Sequence, residues 1–181
     1  MLKCSILKKK AVSAMYDEYK KYIKEKLFFM PFATHGIGQT RRVLNLALEL
    51  AKYYNVPAKD MKVLAIACCY HDIGRLHDAT DDEHGAISSE KMLKMKLDQL
   101  HNLTPDELSI VLDLIVYHSM DDDLWLDDDN LLIYQILKDA DALDRLRFND
   151  LDVKYLRLAY SKELIPYATF LLEEDGVLKK K

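Results

Sequence analysis

Histidine and aspartate stand at the inner ends of three apolar helical stripes, where polar side chains need a partner. Leu108, Val111 and Ile115 share one helical face, and His118 is the next residue on it. Ile133, Leu137 and Asp141 are spaced four apart, so a carboxylate continues a second stripe. Leu64 and Cys68 lead to His71 on a third, with Asp72 directly after it. An unpaired buried carboxylate costs several kcal/mol even after its surroundings relax. Two imidazoles and two carboxylates that reach one interior are satisfied together by a divalent cation. Of five glycines, Gly36, Gly38, Gly74 and Gly85 lie within three residues of His35, His71 or His84. In a helical protein glycine marks helix ends and close backbone approach, so these ends are expected to surround one site.

The elements that must position these groups read as successive helices. Residues 5–28 are amphipathic, with Met15, Tyr19, Tyr22 and Ile23 on one side and lysines on the other. Further helices are expected over 39–54, 58–72 and 85–100. Thr104-Pro105-Asp106-Glu107 is a capping box with proline at the first helical position, so a helix starts there and runs to about Ser119. Another spans about 129–147, and 151–163 and 166–174 are expected as helices separated by Pro166. No alternating stretch argues for a strand. His101, just before the Thr104 cap, reads as a structural histidine. Asp121–Asp129, with six aspartates around Leu124-Trp125-Leu126, reads as a solvated acidic loop.

Composition agrees. The chain has 181 residues, enough for one domain with a real core. Five glycines and four prolines are too few for the turns of an all-β protein, so the fold class is all-α. A formal net charge of −4 argues against a nucleic-acid polymer as partner. The apolar runs Leu27–Ala33 and Val63–Tyr70 fall short of the ~20 residues that span a bilayer, so no membrane partner is expected. The N-terminus lacks the apolar core of a secretory signal. Cys4, Cys68 and Cys69 form no CxxC pair, which fits a reduced, cytoplasmic setting.

The order of these residues resembles the HD superfamily of metal-dependent phosphohydrolases, whose signature is His…His-Asp…Asp. The central doublet lies in His71-Asp72-Ile73-Gly74-Arg75, after the apolar run Val63–Tyr70. The late aspartate matches Ala140-Asp141-Ala142-Leu143-Asp144-Arg145-Leu146, and intermediate histidines match His84-Gly85-Ala86 and His118-Ser119. The resemblance covers roughly 33–147. It implies a helical bundle with an N-terminal helix over 1–32, the HD core over 33–147 and C-terminal helices of the same domain over 148–181. The implied metal ligands are His71, Asp72 and Asp141 plus a first histidine, with His84 and His118 binding a second ion or protonating a leaving group. The usual first ligand stands four residues before the valine of an Arg-Val pair. Here that valine is Val43 and the position holds Gln39. His35, one turn earlier, is expected to share a helical face with Gln39 and to ligate or border the metal, with Gln39 nearby or a weaker ligand.

The resemblance further implies one or two divalent transition ions (Mn, Fe, Co, Ni or Zn) and a metal-activated water that attacks a phosphoester of a small molecule, a nucleotide among the candidates. Asp72 or Asp141 would orient that nucleophile while ligating. Arg75 and Arg42 would hold phosphate oxygens, and His84 would border the substrate. Two other readings stay open. Some HD-fold proteins with six such ligands are di-iron oxygenases, and His35, His71, Asp72, His84, His118 and Asp141 supply six. A catalytically silent metal-binding protein is the other, prompted by Gln39. A homo-oligomer is allowed, with the N-terminal helix free to pack on a partner.

Overall fold

A computed structural model of the chain describes residues 12–79, 81–125 and 127–179. Cys4, Leu126 and the first part of the expected 5–28 helix lie outside the described residues. Helices dominate, and no strand occurs among the described residues. They are α1 (12–19), α2 (Ile37–Tyr53), α3 (Ala58–Tyr70), α4 (His84–Lys94), α5 (Pro105–Tyr117), α6 (Leu131–Asp144), α7 (Ala159–Glu163) and α8 (Ile165–Glu174). None is long and apolar enough to cross a membrane among the described residues.

α3 is the axis of the bundle. Its run Val63–Tyr70 is buried all round, because α2, α5 and α6 pack against it. α4 lies on α5, and α7 and α8 cover α2 and α6. Burial pushes the Cys68 and Cys69 thiols up, so both stay protonated in the core. The capping box forms as read: Glu107 N–H donates to the Thr104 hydroxyl at 3.2 Å and Thr104 N–H to Glu107 at 2.9 Å. Lys62 of α3 then bonds the same Glu107, at 3.1 Å.

Several boundaries differ from the sequence reading. α1 does not run on to 28; the chain breaks into 3-10 turns at Lys20–Tyr22 and Glu25–Leu27, which deliver Ile23 and Leu27 to the core. α4 stops at Lys94 and not near 100. Lys96 takes a left-handed conformation, and Leu97 N–H closes back on Met92 O at 3.0 Å. Before α7 there is only a 3-10 turn, Val153–Tyr155. The break between the last two helices falls at Leu164, and Pro166 lies in the first turn of α8. The acidic 121–129 stretch is tied down in part: Asp122 pairs with Lys138 at 2.6 Å and Arg157 at 2.7 Å, and Trp125 stacks on Tyr134.

His101 is buried, and its Nε2 meets the Tyr70 hydroxyl at 2.7 Å. Burial, helped by Lys62, pushes the imidazole down to about 4. The unfolded chain takes up this proton near pH 6.5 and the folded one near pH 4, so stability falls as pH drops through that window. The loss reaches at most about 3 kcal/mol. His101→Gln, whose amide still reaches Tyr70, should flatten the melting temperature between those two pH values. A variant profile that parallels the wild type would remove His101 as the cause.

Candidate metal centre

Helix ends assemble the cluster. His71 is the C-cap of α3, with Asp72 on the turn after it. His118 is the C-cap of α5, and His84 opens α4. Asp141 comes from α6, and Gln39 from the first turn of α2. Two glycines let the pieces close. A Cβ on Gly85 would lie 2.5 Å from the carbonyls of both Ile115 and Val116, so only glycine lets the start of α4 rest on the end of α5. A Cβ on Gly74 would lie 2.4 Å from Ser88 N, and Gly74 N–H donates to the Ser88 hydroxyl at 2.8 Å. Gly85→Ala should therefore cost about 1–3 kcal/mol and weaken metal binding roughly tenfold or more, as thermal melts and metal titrations would show. Unchanged affinity would mean that α4 tolerates the shift.

The three imidazoles are oriented by one device. Each Nδ1–H donates to the carbonyl three residues earlier: His71 to Cys68 at 2.8 Å, His118 to Ile115 at 2.6 Å, and His84 to Asp81. With Nδ1 so used, a neutral ring turns its Nε2 lone pair inward, and that of His71 accepts the Gln39 amide at 3.1 Å. The three Nε2 atoms surround the Asp72 carboxylate, His84 at 3.1 Å, His71 at 3.5 Å and His118 at 3.6 Å. His84 Nε2 and His118 Nε2 stand 2.9 Å apart. Two lone pairs this close require a proton or a cation between them. The donor atoms of His71, Asp72 and His118 all lie within 4.8 Å of one another, a grouping able to hold a metal ion.

The charges agree. Burial by itself would push Asp72 up, but His71 and the contacts from His118 and His84 outweigh it, holding the carboxyl well below its usual range. Burial pushes His118 down. It opposes charging of His84 too, but the Asp72 carboxylate overrides it and raises that ring. Asp72 is thus held as an anion beside three imidazole nitrogens, a set of N and O donors that suits a borderline transition ion better than Mg.

The structure sorts the other sequence candidates. Gln39, not His35, is brought to the cluster: its Nε2–H donates to Asp141 at 2.8 Å and to His71 Nε2 at 3.1 Å. His35 does not share a helical face with it. α2 begins only at Ile37, whose N–H is held by Pro31 O, and Gly36 before it is extended. The His35 ring instead bonds Asp78 at 2.8 Å, on the wall of the same cavity. Arg75 donates from Nε to Asp72 at 3.1 Å and from Nη1 to Ala79 O at 3.2 Å. Arg42 faces elsewhere: Asp144 takes its Nε and Nη2, and Asp175 takes its Nη1. An open cavity of about 430 Å³ leads to the cluster, rimmed by Asp78, Asp81, Asp82 and Asp150 with Arg75 and Arg145. The sequence reading passed over Asp139 and Asp144, both buried; they stand off the Ile133–Leu137–Asp141 stripe that pointed to Asp141.

An all-helical domain with a buried histidine–aspartate cluster, open to solvent through one cavity, defines the class: a helical domain built around a candidate metal site. The chain belongs to the HD domain family, whose model matches residues 37–146, from the start of α2 to just past α6. This is a family of metal-dependent phosphohydrolases. No curated protein and no solved structure matches the chain.

Proposed function

We propose that the chain is a metal-dependent phosphohydrolase that cleaves a phosphoester of a small molecule, a nucleotide among the candidates. One observation carries this reading: three imidazoles, each locked through Nδ1 to a backbone carbonyl, turn their Nε2 atoms toward one buried carboxylate. His71, Asp72 and Asp141 would hold one divalent ion, and Asp72, His84 and His118 a second. Mn, Fe, Co, Ni or Zn suits this set. Such an ion supplies a Lewis acid for a phosphoryl oxygen and lowers the pKa of water toward ~7.

The protein's own residues do the rest. Asp72, gripped by Arg75, fixes the spacing of the imidazoles around it. Arg75 also stands on the cavity wall, and among the described residues its Nη2 has no hydrogen-bond partner, so it serves as a donor to phosphate oxygens. Arg42 leaves that role, because two carboxylates occupy its guanidinium. With a single ion at His71, Asp72 and Asp141, His84 holds a proton at Nε2 for the leaving oxygen.

Metal analysis of the purified protein, with a phosphate-release screen of phosphorylated metabolites in added Mn, tests the reading. A bound transition ion and release from a discrete substrate set are expected. No bound ion and no release would leave a catalytically silent helical module. Oxygen uptake under reducing conditions, in place of phosphate release, would point to the oxygenase instead.

A further inference from the structure

Gln39 also borders a second cavity, of about 610 Å³, enclosed by the 31–34 turn, the first turn of α2, Arg147–Phe148 and Asp175. Phe148 lines both this cavity and the one over the cluster, so the two adjoin. Their charges are opposite in character. The cluster side is rimmed mainly by aspartates; this side carries Arg41, Arg42 and Arg147 against one carboxylate, Asp175.

Three features suit the second cavity to an anion. α2 begins without a side-chain cap, since Gly36 holds the N-cap position. Ile37 N–H goes to Pro31 O and Thr40 N–H to Gly36 O, which leaves the amides of Gly38 and Gln39 without a backbone acceptor among the described residues, at the positive end of a 17-residue helix. Arg147 is the second feature. Its side chain is only 5 % exposed, lies over the Phe148 ring at 4.3 Å and gives Nη1 to Asp144 at 2.6 Å. Its Nε is the one buried side-chain nitrogen or oxygen among the described residues that has no hydrogen-bond partner. Arg41 is the third: exposed, on the cavity wall, and in no ion pair among the described residues. Asp175 is paired with Arg42 at 2.7 Å, so the charge left to face the cavity is that of Arg41 together with the share of Arg147 that Asp144 does not meet. Asp144, buried behind the wall, is shared by Arg42 and Arg147.

We infer that this cavity binds an oxyanion, a second phosphoryl group carried by the substrate whose scissile phosphoester sits at the histidine–aspartate cluster. The identity of that group rests on the phosphohydrolase reading; the anion site itself does not. The substrate class is then a small molecule bearing two separated phosphoryl groups. Fork-shaped guanidinium donors and uncapped helix amides recognise such a group jointly.

Titrating the full-length, metal-free protein with inorganic phosphate, followed by amide NMR, tests the site. Saturable shifts at the Gly38 and Gln39 amides are expected. Arg41→Gln should weaken binding roughly tenfold. Arg147→Lys, which keeps a charge toward Asp144 but loses the fork, should weaken it as well. No saturable binding, or binding that Arg41→Gln leaves unchanged with Gly38 unshifted, overturns the inference. The two readings fail separately. Phosphate binding with no metal bound would keep this cavity and sink the hydrolase. Metal-dependent hydrolysis without phosphate binding in chelator would do the reverse.

Discussion

Asp72→Ala should strip the metal from the protein and lower hydrolysis by roughly 10³-fold or more, with helical content retained. No other side chain touches so much of the cluster. Its carboxylate faces three imidazole nitrogens at 3.1–3.6 Å and the Arg75 Nε at 3.1 Å. Without it, the proton or cation that two ring nitrogens 2.9 Å apart require between them loses its counter-charge. The helices should survive, because Asp72 lies on the turn after α3 and supports none of the apolar core. Metal analysis, circular dichroism and the phosphate-release assay together check this. Full activity in the variant would remove Asp72 from the mechanism.

The second large effect lies away from the cluster. Asp139→Ala should cost about 3–5 kcal/mol and lower Tm by roughly 10 °C, while metal binding persists. Asp139 is fully buried, and its two oxygens accept from Arg157 N–H at 3.0 Å, Leu158 N–H at 2.8 Å, the Ser161 hydroxyl at 2.7 Å and the Arg157 guanidinium at 3.2 Å. It fastens the start of α7 to α6. Truncation would strand those donors in the interior, where each unmet group is expensive. A loss below about 1 kcal/mol would mean that water takes over the carboxylate's place.

Much of this architecture is readable along the chain. The Thr104 box sets the start of α5, and the unbroken apolar run of α3 signals a helix covered on all sides. Elements marked by side chains with one dominant preference are found. Elements made by backbone geometry alone are not. α4 ends through a left-handed Lys96, where glycine would have given notice, and α2 begins at Ile37 because a distant carbonyl, Pro31 O, claims its amide. That one bond decides whether His35 or Gln39 meets His71, and periodicity has no access to it. Arg42 illustrates the same limit. Its partners, Asp144 and Asp175, lie 102 and 133 residues further on, and only folding reveals that its charge is already matched.

Gln39 has a consequence for how the cluster would take up an ion. Its amide knits α2, the end of α3 and α6 together by bonding His71 and Asp141 at once. The candidate ligands are therefore gathered by the packing of the helices, and an ion at His71 and Asp141 would displace the Gln39 amide without having to order the chain. Loading would then be docking onto a preorganised scaffold, unlike small domains that exist as folded bodies only with their metal. A chelator should leave these helices in register, ready to be recharged.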